Sequence, residues 1–143
     1  MKEVVGIAFF KDGKLLISQS VKSAKNNKFT LVGGSIEEGE TILQAAVREC
    51  KEEIRNGFEI SEEDFEPILD FCEHAASDYS LMIHMHMLLA KKEIDVELKP
   101  NEEILKYHWF EEGEDETILS TSISEHLLPE ARKMKLFYKK IED

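Results

Sequence analysis

Apolar and polar positions along this chain follow two periods, one close to 2 and one close to 3.6. Residues 4–10 form an almost unbroken apolar, β-prone run and read as a strand. Lys11-Asp12-Gly13-Lys14 follows. Asp-Gly supplies the positive φ angles of a two-residue hairpin turn, so residues 15–20 are the returning strand. Residues 21–28 are polar and read as a loop, and residues 29–32 as a short strand stopped by Gly33-Gly34. From Thr41 to about Arg55 the period becomes helical. Leu43, Ala46, Val47, Cys50 and Ile54 make one apolar stripe, and Thr41 is placed to cap its start. Residues 65–73 and 79–91 are strand-like, and in the second Leu81, Ile83, Met85, Met87 and Leu89 alternate onto one face. Residues 107–110 form a last short strand. Ser122 with Glu125 has the form of a capping box. Leu127, Leu128, Ala131, Met134, Phe137, Tyr138 and Ile141 then predict a C-terminal amphipathic helix, started or kinked by Pro129.

Strands, helix, strands, helix, with neighbouring strands close in sequence, predict an α+β fold with a mixed β-sheet flanked by helices. No repeat or low-complexity linker divides the 143 residues, so one domain over 1–143 is expected. Apolar residues at 42% and charged residues at 34% describe a chain that folds and dissolves. No window is apolar and long enough to span a bilayer, and residues 1–10 lack the pattern of a secretion signal. A cytoplasmic protein without a membrane partner is the expectation. Cys50 and Cys72 have neither disulfide-framework nor zinc-type spacing and read as small core residues.

The net charge of −12 changes the functional picture. A nucleic-acid polymer is excluded as a partner, because its binders need a basic footprint. A small polyphosphate is compatible only if clustered carboxylates hold divalent cations, which reverse the local sign. The helix at 41–55 carries such a cluster. Glu49, Glu52 and Glu53 are three and four residues apart and share one face, away from the middle of the apolar stripe. Carboxylates at this spacing repel one another, and Mg²⁺ or Mn²⁺, which prefer oxygen ligands, would relieve the repulsion. Arg48 can pair with one of them and fix its orientation. Just upstream, Gly33-Gly34 allows a sharp turn and close backbone approach to a ligand, and an exposed carbonyl there offers one more oxygen. A glycine loop, a rigid helix and several oxygen donors suit phosphoryl chemistry.

Gly34, five residues, Glu40, seven residues and Arg48-Glu49-Cys50-Lys51-Glu52-Glu53 resemble the Nudix box, G-x5-E-x7-R-E-U-x-E-E-x-G-U, where U is a bulky apolar residue. All six glycine or charged positions from Gly34 to Glu53 match, and the order of elements agrees with the α/β/α sandwich of that family. Two departures stand out. Arg55 and Asn56 occupy the positions of the signature's last glycine and apolar residue, with Gly57-Phe58 two residues later. That shift predicts a helix that runs on slightly and is ended by Asn56-Gly57. Val32 stands where the family often has proline.

The resemblance implies that Glu49, Glu52 and Glu53, with the Gly33 carbonyl, hold a catalytic Mg²⁺ or Mn²⁺. Glu49 or Glu53 would also orient or deprotonate the attacking water. Arg48 and Glu40 would brace the helix and the Gly34 loop. Glu103, six residues before Trp109, matches a distant metal-binding or basic glutamate of some relatives, with Glu102 as the alternative. The implied activity is hydrolysis of the diphosphate bond in a nucleoside diphosphate linked to another moiety, nucleoside triphosphates included; the compactness of the chain favours a triphosphate. The implied partner is that small nucleotide-like substrate, and the family also admits a homodimer.

His84 and His86 share a strand face. The sequence places no third ligand beside them, so contact with substrate or core is the expectation rather than metal. Phe29 is a candidate to stack on a base. Two other readings compete: a Nudix-like nucleotide-binding or sensor domain with little catalysis, for which Arg55 at the signature glycine speaks, and a small interaction domain whose acidic helix is only a solvated face. No G-x-S-x-G, Walker or H-E-x-x-H pattern is present.

Overall fold

Strand patterning and turn chemistry place most elements where the periodicity puts them, in a computed structural model that describes residues 1–75, 78 and 80–138. The first apolar run splits into β1 (Lys2–Ala8) and β2 (Phe10–Lys11), and β3 is Lys14–Ser20. Asp12 and Gly13, at φ 52° and 74°, form the tight turn expected of Asp-Gly, with Phe10 opposite Leu15 and Lys11 opposite Lys14. Residues 21–28 are not all loop. Val21–Ala24 make one helical turn, α1, in which the Ser20 side chain accepts from the Ser23 N–H and Ser23 returns the bond. A reciprocal serine pair of this kind is a cap that overall polarity conceals.

The strand expected at 29–32 is displaced along the chain. Phe29 and Thr30 make only isolated bridges, and β4 is Val32–Ser35, with both glycines inside it. Gly33 and Gly34 therefore do not stop a strand. They pair with Gly6 and Val5 of β1, at a separation that a side chain on Gly33 would not permit. The remaining elements are α2 (Ile42–Ile54), β5 (Phe65–His74), β6 (Met82–Ala90) and β7 (Ile104–Phe110). Tyr79, at the expected start of the β6 run, lies outside the described residues.

A four-stranded sheet runs β4-β1-β6-β5 and a three-stranded sheet β2-β3-β7. β1 is antiparallel to β4 but parallel to β6, so the larger sheet is mixed. Helices cover both sides. Ala45, Ala46, Cys50 and Ile54 of α2 pack on Val5, Ile7, Val32 and Leu88. A C-terminal helical segment packs Ile123, Leu127 and Leu128 on Leu15, Ile17, Met87 and Phe110. The result is the expected α+β sandwich. Among the described residues no helix is long and apolar enough to cross a membrane.

The C-terminal segment departs from the expected capped helix. A π-helical stretch, Ser122–Leu127, runs into α3, Leu128–Lys133, with Pro129 in its first turn. Thr121 stands at the start without a side-chain cap, and Ser122 Oγ donates to Glu73 instead of closing a box with Glu125. The helix ends before Lys135, whose φ is 57°, and Phe137 then folds back edge-on against Phe10. Ile141 lies outside the described residues. Cys50 is buried as expected but Cys72 is exposed, because it falls on the same outward face of β5 as Asp70 and His74.

Candidate active site

Thr41 and Gln44 cap α2 reciprocally. Its most buried line runs through Ala45, Ala46, Cys50, Glu53 and Ile54, while Leu43 and Val47 are only partly covered. The helix is thus rotated from the face expected of its large apolar residues, because two alanines let it close on the sheet. The rotation carries Glu53 into the interior, at 6% exposure, rather than leaving it on an outer acidic face. Glu53 Oε2 accepts a 2.7 Å hydrogen bond from the Gly33 N–H. Glu49 occupies the space that a side chain at Gly34 would fill, since a Cβ there would stand 2.5 Å from Glu49 Oε1.

Burial pushes the Glu53 carboxyl up to about 8, the charges of Glu49, Glu103 and Glu52 add to the rise, and the Gly33 N–H opposes it. Burial likewise raises Glu49 against the pull of Arg48. These carboxylates are short of positive charge, and Arg48 alone does not supply enough. Its Nε and Nη2 grip Glu40 at 2.8 and 2.9 Å, Nη2 also reaches the Ser35 carbonyl at 2.9 Å, and Nη1 touches Glu49 at 3.0 Å and Glu52 at 3.3 Å. Held by Arg48 and by the Glu37 N–H, Glu40 falls to about 2. Arg48 and Glu40 thereby tie the loop after β4 to the middle of α2. Glu52 is half-exposed and turned to Arg48, so the ligand atoms of Glu49, Glu52 and Glu53 do not all fall within 4.8 Å of one another.

The two acids before Trp109 separate clearly. Arg55 Nη1 and Nη2 hold Glu102 at 2.9 and 2.8 Å, and this pairing brings Glu102 down to about 2. Glu103 is instead the one whose charge bears on both Glu49 and Glu53.

The end of α2 corrects the expected extension. The helix stops at Ile54, and Arg55 itself takes φ 58° and ψ −153°, a backbone region that is almost reserved for glycine. Its Nε donates to the Glu52 carbonyl at 2.7 Å. The residue type departs from the signature, but the backbone does what a glycine would do there. Arg55→Gly is expected to raise the melting temperature measured by scanning calorimetry, because relief of this conformation outweighs an exposed ion pair. A lower melting temperature would show that the grip on Glu102 carries more.

A cleft of about 290 Å³ reaches the glycine pair from the sheet. Leu31, Ile83, Met85, Met87 and Ile123 supply its apolar walls, and Lys22, Lys28, Asn26, Glu73, Ser120 and Ser122 its polar groups. Sequence reasoning assigned none of the latter to a binding site, Ser122 being read only as a helix cap. The two lysines stand in the polar stretch at 21–28, where they look like ordinary loop charge, and Glu73 and Ser122 meet only through folding. The three residues expected at a substrate are placed elsewhere. His84 and His86 alternate with Ile83, Met85 and Met87 and so face away from the cleft. Phe29 packs, partly buried, against the core under the C-terminal helical segment, beneath the Lys106 ammonium at 5.5 Å.

Comparison with known proteins finds the NUDIX domain model matching residues 2–122. Among solved structures, the chain is similar to a C. elegans Ap4A hydrolase (19% identity, TM-score 0.72, 94% of this chain and 97% of that one). It is also similar to a NUDIX hydrolase from Nitrosomonas europaea (19%, TM-score 0.73, 95% and 91%) and to the MutT protein from Methanosarcina mazei Go1 (15%, TM-score 0.73, 94% and 95%). A comparison with curated protein sequences finds no match.

Proposed function

Because this chain belongs to the NUDIX family of hydrolases, which act on phosphorus-containing acid anhydrides, we propose that it cuts the diphosphate bond of a nucleoside diphosphate joined to another moiety. Nucleoside triphosphates are the first candidates and Mg²⁺ or Mn²⁺ the cofactor. The observation that carries this reading is the desolvated, cation-poor pair Glu49 and Glu53, seated against the glycine pair: the missing side chain of Gly34 makes room for Glu49, and the Gly33 N–H holds Glu53.

That cradle would suit a hard divalent cation held by Glu49, Glu53 and the Gly33 carbonyl, with Glu52 turning from Arg48 and Glu103 reaching from the loop before β7 as further ligands. Such an ion supplies charge to the phosphate oxygens and makes water more acidic. The remaining work falls to side chains. Either Glu49 or Glu53, ionised once the cation is bound, would take a proton from the attacking water or orient it. Arg48 and Glu40 keep these carboxylates and the loop after β4 in register. In the cleft, Met85, Met87 and Leu31 offer an apolar surface for a base, and Lys22 and Lys28 offset phosphate charge.

The test is incubation with a panel of nucleoside triphosphates, nucleotide sugars, ADP-ribose and dinucleoside polyphosphates, with and without Mg²⁺, the products being resolved. The panel includes diadenosine tetraphosphate because one structural relative is named for that substrate. Release of pyrophosphate from a triphosphate is the expected result, and two monophosphates would move the assignment to a linked diphosphate. Thermal stabilisation by Mg²⁺ with no turnover on any member would instead favour a nucleotide-binding domain. The glycine-like backbone of Arg55 speaks against that alternative, since the end of the box keeps its shape.

A further inference from the structure

Alternation along β6 puts His84 and His86 on one face of the sheet, and the parallel register with β1 sets Glu3 beside His84 and Val5 beside His86. The carboxylate of Glu3 therefore reaches both rings: Oε1 lies 3.1 Å from His84 Nδ1 and 3.4 Å from His86 Nε2. The two rings are 4.1 Å apart at their centroids. All three candidate ligand atoms fall within 4.8 Å of one another. Ligands on a tetrahedral Zn²⁺, at bond lengths of about 2.0–2.1 Å, stand roughly 3.3 Å apart, so Glu3 Oε1 is already at that spacing from a nitrogen of each ring.

A second observation points the same way. The other nitrogen of His84, Nε2, lies 2.8 Å from Asp70 Oδ2 on β5. With an ion at Nδ1, the Asp70 carboxylate on the far nitrogen would hold the tautomer with hydrogen there and leave the Nδ1 lone pair to the metal. This is the carboxylate–histidine arrangement that commonly backs a metal-bound imidazole. Nitrogen donors suit zinc and not magnesium, and the set shares no residue with α2 or with the cleft.

We propose that Glu3, His84 and His86 form a second metal site, selective for Zn²⁺-like transition cations, with Asp70 as the positioning residue behind His84. Three protein ligands on the partly exposed face leave a fourth tetrahedral position to solvent. The site would pin the start of β1 to β6, and through Asp70 to β5.

The experiment uses the full chain, stripped by chelator, with Glu49, Glu52 and Glu53 all replaced by Gln so that α2 does not compete for the ion. Zn²⁺ is titrated against a chromophoric chelator. One Zn²⁺ per chain is expected. His86→Ala should abolish the uptake, Asp70→Asn should weaken it by roughly tenfold, and Cys72→Ser should leave it intact. In the unmutated chain, imidazole ¹⁵N resonances of both His84 and His86 should shift on Zn²⁺ addition, which reads the site without any variant having to fold. Absence of uptake, uptake indifferent to His86→Ala, or unmoved imidazole resonances would each overturn the proposal and leave an ordinary ion-pair cluster.

Discussion

Replacing Glu53 by Gln is expected to lower turnover by on the order of 10³-fold while making the metal-free fold more stable at pH 8. Both effects come from one buried carboxyl. In the folded chain its pKa stands at about 8 against an ordinary 4.5, so the folded state holds this proton more tightly than the unfolded state does. The stabilisation from neutral Glu53 is complete below the unfolded value and is lost as pH rises through the folded one. Between pH 5 and 8 the chelated wild-type protein should therefore weaken by up to about 1.4 kcal/mol per pH unit. Gln keeps an oxygen for the Gly33 N–H but has no proton to lose, so its urea-denaturation curves should stay nearly level over the same range. Parallel pH profiles for wild type and variant would show that Glu53 is not the group responsible. Unchanged turnover would remove it from the chemistry.

Gly33→Ala and Gly34→Ala are expected to fail in different ways, although they are adjacent. At Gly33, where φ is 153°, a Cβ would drive into the Val5 carbonyl oxygen of the paired strand. Backbone on both sides leaves nothing to yield except the β1–β4 pairing, and a loss on the order of 3–5 kcal/mol is expected. At Gly34 the obstacle is the end of the Glu49 side chain, which can rotate away. That variant should keep most of its melting temperature and lose most of its activity, with Mg²⁺ binding weakened in calorimetry. A Gly34→Ala protein with normal turnover would mean that the position of Glu49 against the strand is unimportant.

The sequence made the helix legible because capping, apolar spacing and six fixed residues agreed with one another, and the Asp-Gly hairpin because only one turn chemistry fits it. Its rotation was not legible. Large residues at Leu43 and Val47 outweigh alanines in any apolar count, yet closeness to the sheet is set by the alanines, and this decided that Glu53 is buried. The glycine pair looked like a strand stop, since a lone sequence cannot reveal that a neighbouring strand needs the space. Arg55 looked like an extension, because a non-glycine residue in that backbone region is rare enough to be discounted. The cleft lysines look like ordinary loop charge, and the trio of Glu3, His84 and His86 depends on strand register between distant segments, which no local spacing encodes.

The position of β1 has a consequence for how the chain is made. It lies between β4 and β6, and its parallel neighbour begins pairing at Ile83 opposite Lys2. As the polypeptide leaves the ribosome, the first strand can find β4 early but must wait more than half the chain for its other partner. Its unpaired edge is open to wrong associations for that whole interval. Non-local pairing of this kind slows folding. Refolding rate should therefore respond more to substitutions along the β1–β6 seam than to those in the β2–β3 hairpin.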